Sequence, residues 1–319
     1  MLNTTLPVHT VLLFCALTIA LPSCQSDDGA VVDDDANKGR LRVSLTDAPA
    51  DDPRIVGVYI TVDHVALDGE EVEGLSVRRT VDIMKYQNGR TLQLGGEAIL
   101  TAGQYGPLSI ALDHRTDDQG QSPGCYALLR DGSKVALPRP DREPVSLRAA
   151  GPTSVEALEE TYVVADFDLR KAIRRGPQGG YKFSVDVETA ATRFVDGNAT
   201  GTILGEVSGA ASVRGAATVM YVFPKGTYDR EAAIASDFAE AYASARIVQG
   251  EFSVAFVPEG EYDLVAASYH DADGDGRTEL SGTFITDAVI GLETRSVAVS
   301  ARTEVSVDVT LGELVGLGN

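Results

Sequence analysis

The sequence predicts an all-β protein of two antiparallel β-sandwich domains that follow a signal peptide and a disordered tether. Three observations carry this. Short strand-like runs recur between Gly, Pro and Asp turns, as at Leu41–Leu45, Ile55–Leu67, Leu108–Leu112 and Thr161–Phe167. Helical periodicity is nearly absent, with one short candidate at Leu169–Ile173 in the first half and an Ala-rich stretch, Asp229–Tyr242, in the second. The composition shifts near residue 200, where a new set of strands opens with Gly201-Thr202-Ile203-Leu204.

The first 23 residues read as an export leader. Val11–Leu21 is an apolar run of 11 residues, whereas a membrane-spanning helix needs about 20 and signal cores run roughly 7–15. Leu21-Pro22-Ser23-Cys24 resembles the lipobox of bacterial lipoproteins, a likeness that implies an acylated Cys24 at the mature N-terminus and an outer-membrane location, periplasmic or surface-exposed. Residues 1–23 hold no Lys or Arg, and Pro22 is uncommon in a lipobox. Residues 24–38, with Asp27-Asp28 and Asp33-Asp34-Asp35, are too polar to offset the entropy of ordering, which predicts a disordered acidic tether. The Ser-Asp-Asp behind Cys24 also resembles a bacterial surface-export signal.

About 280 residues remain, enough for two domains at 39–197 and 201–312. The cysteines are Cys15, Cys24 and Cys125. Acylation of Cys24 would leave no internal disulfide in the mature chain, and Cys125 reads as a buried small hydrophobe. The net charge of −20 argues against nucleic acid as a partner. Six Lys stand against 21 Arg. A salt-adapted surface and a high-GC acidic family both account for that balance.

In the run Ile55–Leu67, Val56, Val58, Ile60 and Val62 form one apolar register, which switches after Asp63 to Val65 and Leu67. A switch of face needs a bulge, expected near Asp63-His64. Thr46–Pro53 (TDAPADDP) reads as a strand end followed by a rigid acidic turn.

Three segments together resemble the bacterial family of unknown function numbered 4382. They are Gly39–Pro49 (GRLRVSLTDAP), a Gly103-Gln104-Tyr105 turn before a strand, and Ala165-Asp166-Phe167-Asp168-Leu169. The likeness implies a β-rich extracytoplasmic domain without assigned chemistry; Ala172 stands where members often carry Ser. Residues 201–312 resemble the transthyretin-like, carboxypeptidase-regulatory sandwich. That likeness rests on a strand ending in Val257-Pro258-Glu259-Gly260, on Tyr262 opening the next strand, and on a final strand Thr303–Leu311. Some relatives of this sandwich carry a Lys–Asn isopeptide bond; Lys225 is the only lysine in this half, and none is expected. The stretch from Asp229 predicts a helix capped by that residue.

One constellation points to chemistry. Asp271, Asp273, Asp275 and Glu279 occupy positions 1, 3, 5 and 9 of a loop with Gly276 at position 6, and Arg277 at position 7 offers its carbonyl. Alternate carboxylates on a tight loop suit Ca2+, a hard cation that takes 6–8 oxygens. Position 12 is Gly282 and no helices flank the loop, so it is not an EF-hand.

Enzyme signatures such as Gly-x-Ser-x-Gly and His-Glu-x-x-His are missing, and His64, His114 and His270 are scattered. The sequence therefore favours a non-enzymatic envelope protein held on a membrane by lipid, serving adhesion, structure, or protein or carbohydrate binding. A glycan-active enzyme or an accessory subunit of an envelope complex is the alternative.

Overall fold

The computed structural model describes residues 35–48, 52, 54–75, 78–139, 145–176, 180–184, 187–188, 191–209, 217–273 and 278–317. Cys24, Asp275 and Arg277 lie outside them. Among the described residues, no helix is long and apolar enough to cross a membrane.

The longer elements of the first half are β1 (Lys38–Ala48), β2 (Ile55–Leu67), β3 (Leu108–Leu112), β4 (Tyr126–Leu129), β5 (Glu160–Asp168), α1 (Leu169–Ala172), β6 (Ile173–Arg175), β7 (Tyr181–Phe183) and β8 (Thr192–Asp196). One sheet runs β8-β5-β1 and continues to the short strands Leu92–Gln93 and Ala98–Thr101. The other runs from Lys134–Ala136 through β4, β2 and β3 to Val145–Arg148. Leu41, Val43 and Leu45 of the first sheet meet Val58, Ile60 and Val65 of the second in one buried core. Side chains alternate along each strand, so each sheet gives one face to that core.

The bulge in β2 is present, because its pairing with β3 shifts register between Val62 and His64. A second shift, between Ile55 and Gly57 against β4, corrects the expected apolar register at its start. Val56 is turned out to solvent, and Ile55 is buried in its place. Gly103–Tyr105, expected as a turn, is a short strand paired with Thr153–Val155. Both sandwiches also depart from purely antiparallel pairing. β1 runs parallel to β5, which the long intervening chain permits, since parallel neighbours need a crossover connection and not a tight hairpin.

The second half contains β9 (Thr200–Gly209), β10 (Ala217–Pro224), α2 (Arg230–Ala235), β11 (Ala243–Ile247), β12 (Glu251–Pro258), β13 (Gly260–His270), β14 (Glu279–Phe284), β15 (Arg295–Val299), β16 (Glu304–Leu311) and β17 (Leu314–Gly316). β9 lies between β12 and β16, and its partnership with β16 is parallel. The strand after Leu311 extends the larger sheet by pairing with β14, so Thr303–Leu311 is not the last strand.

β10 is buried on both faces. Met220 and Val222 face Ile203, Val254 and Val307 of the smaller sheet. Val219, Tyr221 and Phe223 face a second cluster under α2, with Ala233, Phe238 and Ala241. Asp229 caps α2 as expected, its side chain accepting from the Ala232 backbone N–H at 2.8 Å. The helix stops at Ala235, well short of Tyr242, because Asp237 and Phe238 take positive φ (51° and 58°). That turn places the Phe238 ring 4.1 Å from Tyr221 in a stacked pair, and burying a ring this size offsets the local backbone strain. Asp35–Asn319 packs as one unit.

Candidate functional site at the seam of the two sandwiches

The parallel pairing of β1 with β5 sets Thr46 beside Asp166, Asp47 beside Phe167 and Ala48 beside Asp168. The Thr-Asp-Ala and Asp-Phe-Asp segments, some 120 residues apart in sequence, therefore end side by side. Phe167 is fully buried and anchors β5 in the core. Alternation along the strand sends Asp166 and Asp168 to the other face. Thr46 Oγ1 lies within hydrogen-bond reach of the carbonyl oxygens of Tyr86 and Arg90, at 2.8 and 2.9 Å.

Three cations meet these carboxylates, and each also engages the second sandwich. Arg193 donates from Nε to Asp166 at 2.7 Å, and its guanidinium lies 4.1 Å from the ring centroid of Tyr242. Arg170 donates to Asp168 at 3.0 Å and lies 4.9 Å from the Tyr221 ring. Lys171 sits 3.8 Å from Asp168 and donates to the carbonyl of Ala241 at 3.3 Å. Buried carboxylates need such partners, since an unpaired charge away from water is costly. The backbone N–H of Arg170 also caps onto Asp168 at 3.0 Å, which starts α1.

Two neighbouring acids are driven in opposite directions. Burial pushes the Asp168 carboxyl up, but the charges of Arg170 and Lys171 outweigh it and hold the group below the usual carboxylate range. Burial pushes the Asp47 carboxyl well above that range; a hydrogen bond from Gln87 Nε2 at 2.7 Å lowers it in part, and Asp166 and Asp168 add to the rise. Between the halves lies a cavity of about 20 Å³, bounded by Thr46, Asp47, Asp166 and Arg193 on one side and Ser244 and Phe256 on the other. That is room for about one water and no more. The arrangement is a polar joint between the two sandwiches.

The second locus is the acidic hairpin. β13 and β14 pair His270 with Glu279, which brings the two ends of the loop together. One carboxylate oxygen each from Asp271, Asp273 and Glu279 lies within 4.8 Å of the others, so three of the five residues expected at the calcium site converge. Glu279 Oε2 also accepts from the Ala272 backbone N–H at 3.2 Å. Oxygen donors at this spacing suit a hard divalent cation.

Cys125 is fully buried, and burial pushes its thiol up to about 12. Lys225 follows the end of β10 and lies 3.4 Å from Asp263. Asp263 also accepts from the Gly226 backbone and the Ser296 hydroxyl, both at 2.8 Å.

The segment that carries both seam motifs is also similar to a known family. Residues 38–184 match the model of the family described as Domain of unknown function (DUF4382). The matched segment supplies Asp47, Asp166, Asp168, Arg170 and Lys171, whereas Arg193 lies beyond it. No curated protein matches the chain. Among solved structures, the chain is similar to a leucine-rich repeat protein from Bacteroides thetaiotaomicron, at 12% identity over 87% of this chain and 26% of that one, with a TM-score of 0.25. It is also similar to a minor pilin of Streptococcus agalactiae, at 12% identity over 87% and 99% of the two chains, with a TM-score of 0.22. A third is the major pilin subunit of Bacillus cereus, at 8% identity over 86% and 71%, with a TM-score of 0.20. The chain spans about a quarter of the length of the first of these.

Sequence reasoning did not single out Arg193, Arg170 or Tyr242. A lone arginine on a strand has the same signature whether it faces water or a neighbouring domain. The available signal was Asp-Phe-Asp itself, where two carboxylates flank a core aromatic on a strand of otherwise apolar residues.

Proposed function

We propose that this chain is a lipid-anchored protein of the cell envelope, held on the outer membrane through Cys24. Its two sandwiches serve a non-enzymatic role in binding, adhesion or structure. The observation that carries the non-enzymatic part is the use made of the seam acids. Asp166 and Asp168 are neutralised by cations that at the same time grip the second sandwich, so they fix two domains against each other, and the cavity that Asp166 lines holds only about 20 Å³. General acid–base work would need a carboxyl within reach of a substrate. A protein or carbohydrate partner fits this role, and the acidic surface disfavours nucleic acid. The hairpin of Asp271, Asp273 and Glu279, completed by Asp275 and the Arg277 carbonyl, takes Ca2+.

The anchor reading rests on Leu21-Pro22-Ser23-Cys24 behind an apolar core of signal-peptide length. Its test is fractionation of cells expressing the full chain or Cys24→Ala. The wild type is expected in the membrane fraction carrying an acyl mass at Cys24, and the variant in the soluble fraction. Unchanged membrane retention of the variant would overturn it.

A further inference from the structure

The smaller sheet of the second sandwich turns a polar face outward. β9 pairs with β12 and β16 so that Leu204 stands between Ser253 and Ser306, and Glu206 between Glu251 and Asp308. Alternation puts these six side chains on one face, because the intervening Ile203, Phe252 and Val307 are buried in the core on the other. Glu206, Glu251, Ser306 and Asp308 are exposed, and Leu204 and Ser253 are half-buried between them.

This face is part of a cleft of about 490 Å³, to which the end of β11 and its turn into β12 add Arg246 and Gln249, and the first sandwich adds Asn88. Asn88 and Gly89 both take positive φ, 56° and 80°. Their turn reaches the second sandwich so closely that a Cβ at Gly89 would lie 3.1 Å from the Cβ of Ala255. The cleft is therefore complete only while the two sandwiches are docked. Among the described residues, no side-chain hydrogen bond or ion pair engages Glu206, Glu251 or Asp308. Nor do these three converge as metal ligands do: among the described residues, the acids that gather that tightly are those of the hairpin.

We propose that this cleft binds a neutral saccharide, whose hydroxyls are held by Glu206, Asp308 and Asn88 and whose ring lies over Leu204. A sugar presents hydroxyls that both donate and accept. The cleft answers with carboxylates that accept on several lone pairs, serine hydroxyls and amides that do both, and a guanidinium that donates. Bonds from hydroxyls to carboxylates are the strong ones of this set. The volume lies within the roughly 300–1,000 Å³ of ligand pockets, which suits a ligand of about two sugar rings. The inference rests on the carbohydrate reading above and gives it a site; its failure would leave the anchor and a protein partner standing.

The experiment is calorimetric titration of the full chain with three neutral disaccharides, maltose, cellobiose and diacetylchitobiose. Saturable binding of at least one probe is expected. Affinity for that probe should fall at least about tenfold in E206A/D308A, because charge-assisted hydrogen bonds are lost. It should be unchanged in Glu304→Ala, which removes an exposed acid from the same strand as Asp308 but outside the cleft. Thermal melting confirms that the double variant is folded; if it is not, Asn88→Gly, which keeps the positive-φ turn and deletes one amide, decides. Absence of heat with all three probes, or wild-type affinity in the folded variant, would overturn the proposal.

Discussion

The guanidinium of Arg193 lies 4.1 Å from the ring centroid of Tyr242 while its Nε donates to Asp166 at 2.7 Å. One side chain from the last strand of the first sandwich thus joins a carboxylate of its own domain to an aromatic face of the other. Arg193→Met keeps the aliphatic bulk, removes the charge and leaves Asp166 buried and unpaired. A loss of about 3–5 kcal/mol is expected, as for other buried pairs broken from one side. Lys38→Ala breaks a pair with Asp35 that is open to solvent and should cost about 1 kcal/mol or less. Urea unfolding of both variants makes the comparison, and equal losses would remove Arg193 from the joint.

Asp47 makes a pH prediction with an unusual sign. Its carboxyl is raised well above the ordinary 3.8, chiefly by burial, so the folded chain holds a proton that the unfolded chain has already released. Its contribution to stability is therefore complete below 3.8 and is lost as pH rises from there through the folded value. At neutral pH the group opposes folding. Asp47→Asn keeps an acceptor for Gln87 and removes the titration, so it should raise the unfolding midpoint at neutral pH and change little below 3.8. A lower midpoint at neutral pH would mean that the ionised carboxylate is a favourable partner in the seam.

Local features of the fold were legible wherever the cause was local. The bulge at Asp63-His64 follows from a switch of apolar face within one strand, and the Asp229 cap follows from a short acceptor placed before an Ala-rich run. Val56 was misread because its outward turn is set by the register of Tyr126–Leu129, a partner that alternation in β2 does not specify. Strand direction was also hidden, since period-two alternation is the same in parallel and antiparallel pairs. The joint between the sandwiches depends on that hidden direction. Asp47, in a segment that reads as a strand end followed by an acidic turn, is buried because β1 runs alongside β5 as far as Ala48.

Cys125 should be chemically silent in the folded protein. Its side chain is inaccessible and its thiol is pushed up to about 12, whereas the thiolate is the reacting form. Iodoacetamide at about pH 8, a little below the free-thiol range, is expected to leave native Cys125 unmodified and to alkylate it once urea unfolds the chain. Mass spectrometry of the Cys125 peptide reads the difference. Native-state labelling at the rate of a free thiol would show that the first core opens far more readily than its packing implies.

The acidic hairpin gives the last prediction. Asp271, Asp273 and Glu279 hold three carboxylate oxygens within 4.8 Å of one another, an arrangement of like charges that repel unless a cation lies between them. Calcium would supply that charge and draw its remaining oxygens from Asp275, the Arg277 carbonyl and water. Because β13 and β14 close the loop at His270 and Glu279, bound calcium would also tighten the hairpin, so thermal stability should rise with calcium and fall back with chelator. A Kd of roughly 10⁻⁴–10⁻³ M is expected for an extracellular module of this kind. Asp273→Ala removes the central carboxylate from a largely exposed position and should abolish both the calorimetric heat and the calcium-dependent rise in Tm, leaving the calcium-free Tm equal to or slightly above that of the wild type. The same calcium response in the variant and the wild type would place the cation elsewhere, and no response in either would leave the hairpin a solvated acidic turn.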